Sequence, residues 1–212
     1  MLKILIISVF VAFGLTGCVA PYKVEHNPAI AKEFISQETN KVKSISIQIK
    51  EKSAPLLERK INNFSIGQGL EYSPRKINTD ISINVFKKYF DTVGLDSGDI
   101  VIETNIYDFL IEKQMGLLTG NTLTTTKLHV KVIYKDKVIL DKNYEDKTVV
   151  KFISTKDDAI FASMKAGEVI ISNSLHFNLI NIYHDMLVPD MIKALKESKL
   201  AHLFMWADAL LM

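Results

Sequence analysis

The sequence predicts an α+β fold, in which an antiparallel sheet of four to five strands has helices packed on one face. Residues 44–50 alternate apolar and polar side chains with period two, and residues 99–152 contain three further strand patterns in succession. Residues 80–93 and 175–197 instead repeat apolar side chains at helical spacing. The order of strand, helix, three strands and helix favours a sheet covered by helices.

The first strand, SISIQIK at 44–50, places three isoleucines on one face and polar residues on the other, as is typical of a half-buried strand. Residues 51–78 contain Gly67, Gly69 and Pro74 and are predicted to form a long irregular connection. Connections of that length are usually functional or disordered.

The first helix is predicted at 80–93, with Thr79 as N-cap and Gly94 as the stop. Its apolar residues form one stripe that includes Phe86 and Phe90. We expect both phenylalanines to be buried against the sheet.

Three strands follow at 99–113, 122–135 and 138–152 and are predicted to form an antiparallel meander. The first has apolar residues on both faces near its ends, which indicates a central position in the sheet. The last two are joined by a tight turn at residues 135–137.

The remainder is predicted to be mainly helical. Residues 157–165 form a short helix, and residues 168–172 form either a fifth short strand or part of a longer helix. From Leu175 the apolar spacing is helical for at least five turns, and Pro189 is expected to kink this helix.

The N-terminus has the pattern of an export signal. Lys3 precedes the apolar run 4–13, which is too short to span a bilayer as a mature helix. The run ends in LTGC at 15–18, which resembles the lipobox of bacterial lipoproteins: an aliphatic residue, a small residue, Gly or Ala, then Cys. The alternative is an ordinary signal or anchor helix with a chance cysteine.

The lipobox resemblance implies that residues 1–17 are a signal peptide removed before Cys18. The Cys18 thiol then carries a diacylglycerol and the new amino group is acylated, so that the chain is held on a membrane by its acyl chains. Val19 follows the cysteine in place of Asp, which in enteric-type lipoproteins implies the outer membrane, with the protein facing the periplasm. Residues 18–43 are then a tether, 44–198 the α+β domain and 199–212 an apolar tail.

Composition excludes some functions. A formal net charge of +2 gives no electrostatic reason to bind nucleic acid. His176 and His184 are too far apart for the i, i+4 pair of a helical metal site, so we expect solvated or rim histidines, with no metal and no cofactor. Neither a nucleophile motif nor a phosphate-binding loop is evident, and we predict that the protein is not an enzyme.

The lipobox, the strand SISIQIKEKS, the helix at 80–93, the strand trio and the long C-terminal helix together resemble the YajG-type bacterial lipoproteins. The same element order is shared by LptE-like and PqiC-like envelope lipoproteins. The resemblance covers roughly residues 18–198, and it is one of pattern, since Cys18 alone is a diagnostic residue. It implies a non-enzymatic accessory subunit that supports an outer-membrane assembly or a transport machine.

Two apolar segments are candidate contacts with an envelope protein partner. Leu117 and Leu118 lie at a predicted hairpin tip, where polar residues are usual, and either dock on a partner or fold back on their own sheet. The tail carries Phe204 and Trp206 on an amphipathic stretch that suits a groove, or packs on the parent domain.

Two functions follow from these patterns. The first is a lipid-anchored partner-binding or assembly module, and the second is a lipoprotein that binds an apolar ligand or lipid in a cleft between the sheet and the C-terminal helix. A filled core beside exposed apolar residues would favour the first, and an open apolar cavity would favour the second.

Overall fold

The computed structural model describes residues 22–24, 42–60, 69–115, 119–153 and 160–197. The strands in these ranges are β1 (Tyr22–Val24), β2 (Val42–Glu51), β3 (Leu57–Lys60), β4 (Gly69–Tyr72), β5 (Phe90–Gly94), β6 (Ile100–Met115), β7 (Thr119–Tyr134) and β8 (Lys137–Ile153). The helices are α1 (Pro74–Tyr89), α2 (Ile160–Asn181), a π-helical segment (Ile182–Leu187) and α3 (Val188–Leu195).

The main sheet has five strands in the order β5-β2-β6-β7-β8, and helices pack on it, which confirms the predicted α+β class. The predicted antiparallel pairing holds for β6, β7 and β8. It is corrected at β2, which runs parallel to both β5 and β6. The reason is that α1 carries the chain back along the sheet after β2, so that the next strands start from the same end.

The three C-terminal strands form the predicted meander, and β6 lies in the middle of the sheet as expected. Lys135 and Asp136 both have positive φ, at 46° and 62°, and form the two-residue turn between β7 and β8. Two left-handed residues in succession match the right-handed twist of a hairpin. These strands have 16 or 17 residues each, far longer than the typical length of about 5–6.

Helix α1 begins and ends earlier than the predicted range 80–93. Pro74 starts it, because proline suits a position where no backbone N–H is needed. Phe90 ends it by adopting extended backbone, with φ −127° and ψ 139°, and begins β5. Phe86 and Phe90 are both buried, which confirms the expectation for these two side chains.

A second, small sheet of order β1-β4-β3 corrects two predictions. β3 and β4 lie within residues 51–78, which were expected to be irregular. β1 lies within the predicted tether and pairs in parallel with β4, so this part of the segment belongs to the folded body. The small sheet joins the main sheet through the edge-to-face contact of the Tyr72 and Phe109 rings, whose centroids lie 5.6 Å apart.

Of the two alternatives for residues 168–172, the structure has the longer helix, since they lie within α2. α2 continues into the π-helical segment and α3. The π-helical segment ends two residues before Pro189, near the predicted kink, and Val188 N–H donates to Tyr183 O five residues back. Such wider turns accommodate local disruption of the i to i−4 ladder.

The core lies between the main sheet and the helices. Its fully buried members include Ile47, Ile102, Val130, Ile81, Leu179 and Leu187. The opposite face of β6–β8 carries partly exposed ion pairs, in which Lys127 lies 3.9 Å from Asp108 and 3.8 Å from Glu145. Exposed pairs of this kind contribute little stability, so burial on the helix side holds the fold.

Candidate functional site

The site residues predicted from the sequence are Cys18, Leu117, Leu118, Phe204 and Trp206, and all lie outside the described residues. The described strands nevertheless bracket the two leucines. Met115 of β6 pairs with Gly120 of β7, so Leu117 and Leu118 belong to the short link between these strands.

The hairpin of β6 and β7 extends well past its neighbour β2. The last pair between β2 and β6 is Glu51 with Thr104, yet β6 continues to Met115. At about 3.3 Å per residue, residues 105–115 add ~35 Å of strand. β8 accompanies β7 over this whole length, up to the pair Thr119–Ile153. β6, β7 and β8 therefore continue together well past the end of β2.

A buried polar cluster lies where β2 ends, and it consists of Glu51, Ser53, Asn78, Thr104 and Tyr183. Tyr183 OH donates to Asn78 Oδ1 at 2.7 Å. The Asn78 amide donates to Glu51 Oε2 and to Thr104 Oγ1, and the Thr104 hydroxyl donates to Glu51 Oε2 at 3.0 Å. Ser53 N–H donates to Glu51 Oε1. This Glu51 cluster is a hydrogen-bonded chain that crosses the core.

The members of the Glu51 cluster come from four parts of the fold, with Glu51 and Ser53 both at the end of β2. Glu51 ends β2 and lies opposite Thr104 of β6 in the strand register. Asn78 projects from the first turns of α1, and Tyr183 belongs to the π-helical segment. Ser53 also accepts a hydrogen bond from Ile106 N–H at 2.7 Å. The cluster thus ties β2, α1, β6 and the C-terminal helices together.

Burial controls the electrostatics of this cluster. Desolvation raises the pKa of the Glu51 carboxyl above 4.5, against the hydrogen bonds from Ser53, Thr104 and Asn78, which lower it. Desolvation, with a smaller contribution from the charge on Glu51, also raises the pKa of Tyr183 far above its usual value. Tyr183 is therefore a neutral donor across the physiological range.

The arrangement supports a structural role for Glu51. Both of its carboxylate oxygens accept hydrogen bonds from groups of the protein itself. No group of three or more potential metal ligands occurs among the residues that the structure describes. The same described ranges include no helix that is both long and apolar enough to cross a membrane.

A second polar layer joins α2 to β7 and β8. The Asn178 amide donates to Thr126 Oγ1 at 3.1 Å and to Thr124 O at 3.4 Å, and Thr148 Oγ1 donates to Asn178 Oδ1. The threonine run TLTTT in the sequence is the signal for this layer, since it places hydroxyl groups where apolar strand residues are usual. Each amide group of Asn178 is satisfied, as burial requires.

The histidines differ from the expectation in one case. His176 is fully buried, and its Nδ1 lies 2.7 Å from Ser172 O, so the prediction of a solvated or rim side chain was wrong there. The apolar surroundings of α2 and this backbone partner explain its burial. His129 is partly exposed beside Asp141, and His184 lies beside Asp185, as expected for rim residues.

The space between the sheet and the C-terminal helices is occupied by side chains. Leu175, Leu179 and Leu187 are fully buried there. The rings of Phe86 and Tyr183 make an edge-to-face contact, with centroids 5.9 Å apart. Apolar side chains also remain exposed beside this part of the core, among them Phe177 of α2.

Comparisons with known proteins give loose likenesses. No protein-family model matches the chain, and neither does any curated protein. The chain is similar to protein XCC0632 from Xanthomonas campestris, of the family model DUF330, with 14% identity, a TM-score of 0.43, and coverage of 76% of this chain and 91% of that one. It is also similar to the rare lipoprotein B from Shewanella oneidensis, with 9% identity, a TM-score of 0.42, and coverage of 68% and 96%. Likenesses at these TM-scores carry no argument about function, and the YajG-type resemblance stays a prediction.

Proposed function

We propose that the protein is a lipid-anchored lipoprotein of the bacterial cell envelope that acts as a non-enzymatic partner-binding or assembly module. The observation that carries this proposal is the sequence LTGC at 15–18, which follows a lysine and an apolar run of signal-peptide length. Acyl chains on Cys18 provide the anchor, and Val19 favours the inner leaflet of the outer membrane, facing the periplasm.

The partner-binding role is supported by the shape of the β6–β7 hairpin. The strands continue for residues 105–115 past the end of β2, and the link that follows contains Leu117 and Leu118. A long extension that ends in apolar residues suits insertion into a protein partner, because burial there removes both leucines from water. We place the partner among envelope proteins, since the anchor restricts the chain to that compartment.

The non-enzymatic part of the proposal is supported by the Glu51 cluster. Glu51 is the described carboxylate whose pKa is raised by burial, which is a property of many catalytic acids and bases. Its oxygens, however, are already engaged with Ser53, Asn78 and Thr104. The alternative function, apolar-ligand binding under the C-terminal helices, finds no support in the filled core there.

The anchor is tested by Cys18→Ala in cells. The thiol that accepts lipid and the cleavage signal share this residue, so we expect an uncleaved, unacylated precursor, seen by intact-protein mass spectrometry. Val19→Ala is the matched control, because it changes the next residue and leaves the LTGC motif complete. We expect that control to be cleaved and acylated like the wild type. Mature, membrane-retained protein from Cys18→Ala would contradict the lipoprotein proposal.

A further inference from the structure

The outer edge of β8 is a long open strand edge. β8 lies at the end of the main sheet, and no strand in the described part of the chain pairs with its outer side. Its 17 residues present a row of backbone N–H and C=O groups, which other strands are able to join unless the edge is blocked. The side chains along this edge therefore determine which strands can pair with it.

The side chains of β8 carry a charge pattern that is complementary to itself. Residues 141–147 read DKNYEDK. When two copies of this segment lie antiparallel with Tyr144 opposite Tyr144, Asp141 of one copy faces Lys147 of the other. In the same register, Lys142 faces Asp146 of the second copy. By the two-fold symmetry each pair occurs twice, which gives four opposite-charge pairs.

These charges lie on both faces of the sheet and remain accessible at the edge. Asp141 and Lys147 are on the face opposite the helices, with side chains 48% and 56% exposed. Lys142 is on the helix side, where it pairs with Asp190 of α3 at 2.7 Å, yet it is still 51% exposed. Asp146, on the same side, accepts a hydrogen bond from Asn181 at 3.0 Å and is partly exposed. The helices therefore cover these two charges only in part.

An exposed apolar side chain lies within the same segment. Val149 is 59% exposed, the most exposed of the large apolar residues described. With Tyr144 at the centre, Val149 lies within the paired length of the two strands, near the position where the ladder between β7 and β8 of the second copy shifts at Ile139. Pairing would cover Val149 at both ends of the segment, where it now meets water.

We propose that the protein forms a two-fold symmetric dimer through antiparallel pairing of β8 with β8 of a second copy, in the register centred on Tyr144. The two main sheets then join into one continuous sheet. The charges act twice: they attract a second copy in one register, and they repel strands whose charges do not match. This inference stands apart from the proposed anchor and partner.

The register is tested by charge reversal and exchange. Full-length protein in detergent is measured by light scattering across a concentration series, and wild type is expected to approach twice the monomer mass. Asp141→Lys places lysine opposite Lys147, and Lys147→Asp places aspartate opposite Asp141. We expect each single variant to dimerise at least about tenfold more weakly, because attraction becomes repulsion at two positions.

Rescue separates pairing from damage to the fold. The double variant Asp141→Lys/Lys147→Asp restores opposite charges and is expected to dimerise again. An equimolar mixture of the two single variants is expected to form the mixed dimer, since its pairs are all opposite in sign. Asp91→Lys, on the edge strand β5, is the control with the same charge change, and we expect no effect from it.

The following results would contradict the proposed dimer. Wild type that stays monomeric at every concentration rules it out, as do single variants that dimerise like wild type. Failure of rescue in both the double variant and the mixture rejects the register centred on Tyr144. A loss of dimer in Asp91→Lys would move the interface to β5.

Discussion

At the scale of single residues, the hydrogen bonds around Asn78 run in one consistent direction. Tyr183 donates to Asn78 Oδ1, and the Asn78 amide then donates to Thr104 and to Glu51. Thr104 donates in turn to Glu51. The donors all point toward one acceptor, Glu51, so the cluster has a polarity that a substitution at either end interrupts.

Tyr183→Phe removes the first donor of this chain. Asn78 Oδ1 then remains buried without its partner, which costs about 1–3 kcal/mol in the free energy of unfolding. Urea denaturation monitored by circular dichroism measures the loss. Tyr134→Phe is the control at a partly exposed tyrosine, and it keeps the ring that lies 5.2 Å from Lys135 Nζ, so the expected change is within about 0.5 kcal/mol. Equal effects of the two substitutions would contradict a buried role for the Tyr183 hydroxyl.

The raised pKa of Glu51 predicts that the stability of the protein depends on pH. Burial raises its pKa above 4.5 in the folded protein, so just above pH 4.5 the folded chain holds a proton that the unfolded chain has released. The contribution of Glu51 to stability is therefore fully present below this pH and is lost as pH rises through the raised value. Glu51→Gln does not titrate and provides the reference.

The measurement is urea unfolding of wild type and Glu51→Gln at a series of pH values. We expect the difference in unfolding free energy, wild type minus variant, to be largest at low pH and to decline as pH increases. A difference that grows with pH would show that the three hydrogen bonds outweigh burial and lower the pKa.

At the scale of elements, the loop between β5 and β6 is held against β2. Gln48 Nε2 donates to Leu95 O at 2.9 Å and to Asp96 O at 2.7 Å. Ser46 Oγ donates to Asp99 at 2.6 Å, and this bond with that from Ser46 N–H lowers the pKa of the Asp99 carboxyl. The chain can approach so closely because Gly98 has no side chain.

Gly98→Ala is expected to disturb this approach. A Cβ at Gly98 would lie 2.4 Å from Gln48 N and 2.7 Å from Ile47 C, both backbone atoms of the central part of β2. Relieving such overlap requires backbone shifts, which cost about 1–3 kcal/mol. Gly94→Ala is the matched control, because nothing lies within 4 Å of a Cβ at that position. Thermal unfolding of both variants measures the difference in stability. Equal midpoints would mean that the loop moves away from β2 without cost.

The sequence pattern predicted the strands in which apolar and polar residues alternate over many positions. β6, β7 and β8 were placed within a few residues of their ends, because long alternation and a polar two-residue turn define them. β1, β3 and β4 have only three or four residues, too few for a period to emerge. The end of α1 was missed because Phe90 continues the helical stripe while its backbone already belongs to β5.

The candidate sites also differ in whether a local sequence signal marks them. The lipidation of Cys18 stays a prediction, and its signal in the sequence is four adjacent residues. The Glu51 cluster has no such signal, since Glu51, Asn78 and Tyr183 stand far apart in sequence and meet only through tertiary packing. Asn78 gave no local signal, because it fell in the predicted irregular connection 51–78 and only the structure places it in α1.

At the scale of the whole molecule, the extension of β6 and β7 predicts where a partner binds. We expect Leu117→Ser/Leu118→Ser to leave folding and lipidation intact and to weaken co-purification with envelope partners. Full burial of each leucine in a partner is worth about 1.5–3 kcal/mol. Thermal unfolding and pull-down yield are measured on the same double variant.

Leu56→Ser/Leu95→Ser is the matched control, since these leucines are about half exposed, at 51% and 50%. We expect it to bind partners like wild type. If the double substitution at 117 and 118 lowers stability as much as binding, the leucines pack on their own domain. If it leaves both unchanged, the link takes no part in docking.

The position of β1 limits how high the protein can stand above a membrane. Cys18 precedes Tyr22, the first residue of β1, by only a short link that reaches at most ~14 Å when fully extended. On the proposed lipidation of Cys18, we expect the folded body to stay close to the bilayer surface. We then expect a partner to come down to that surface or to be embedded there, because a link of this length does not let the domain search the width of the periplasm.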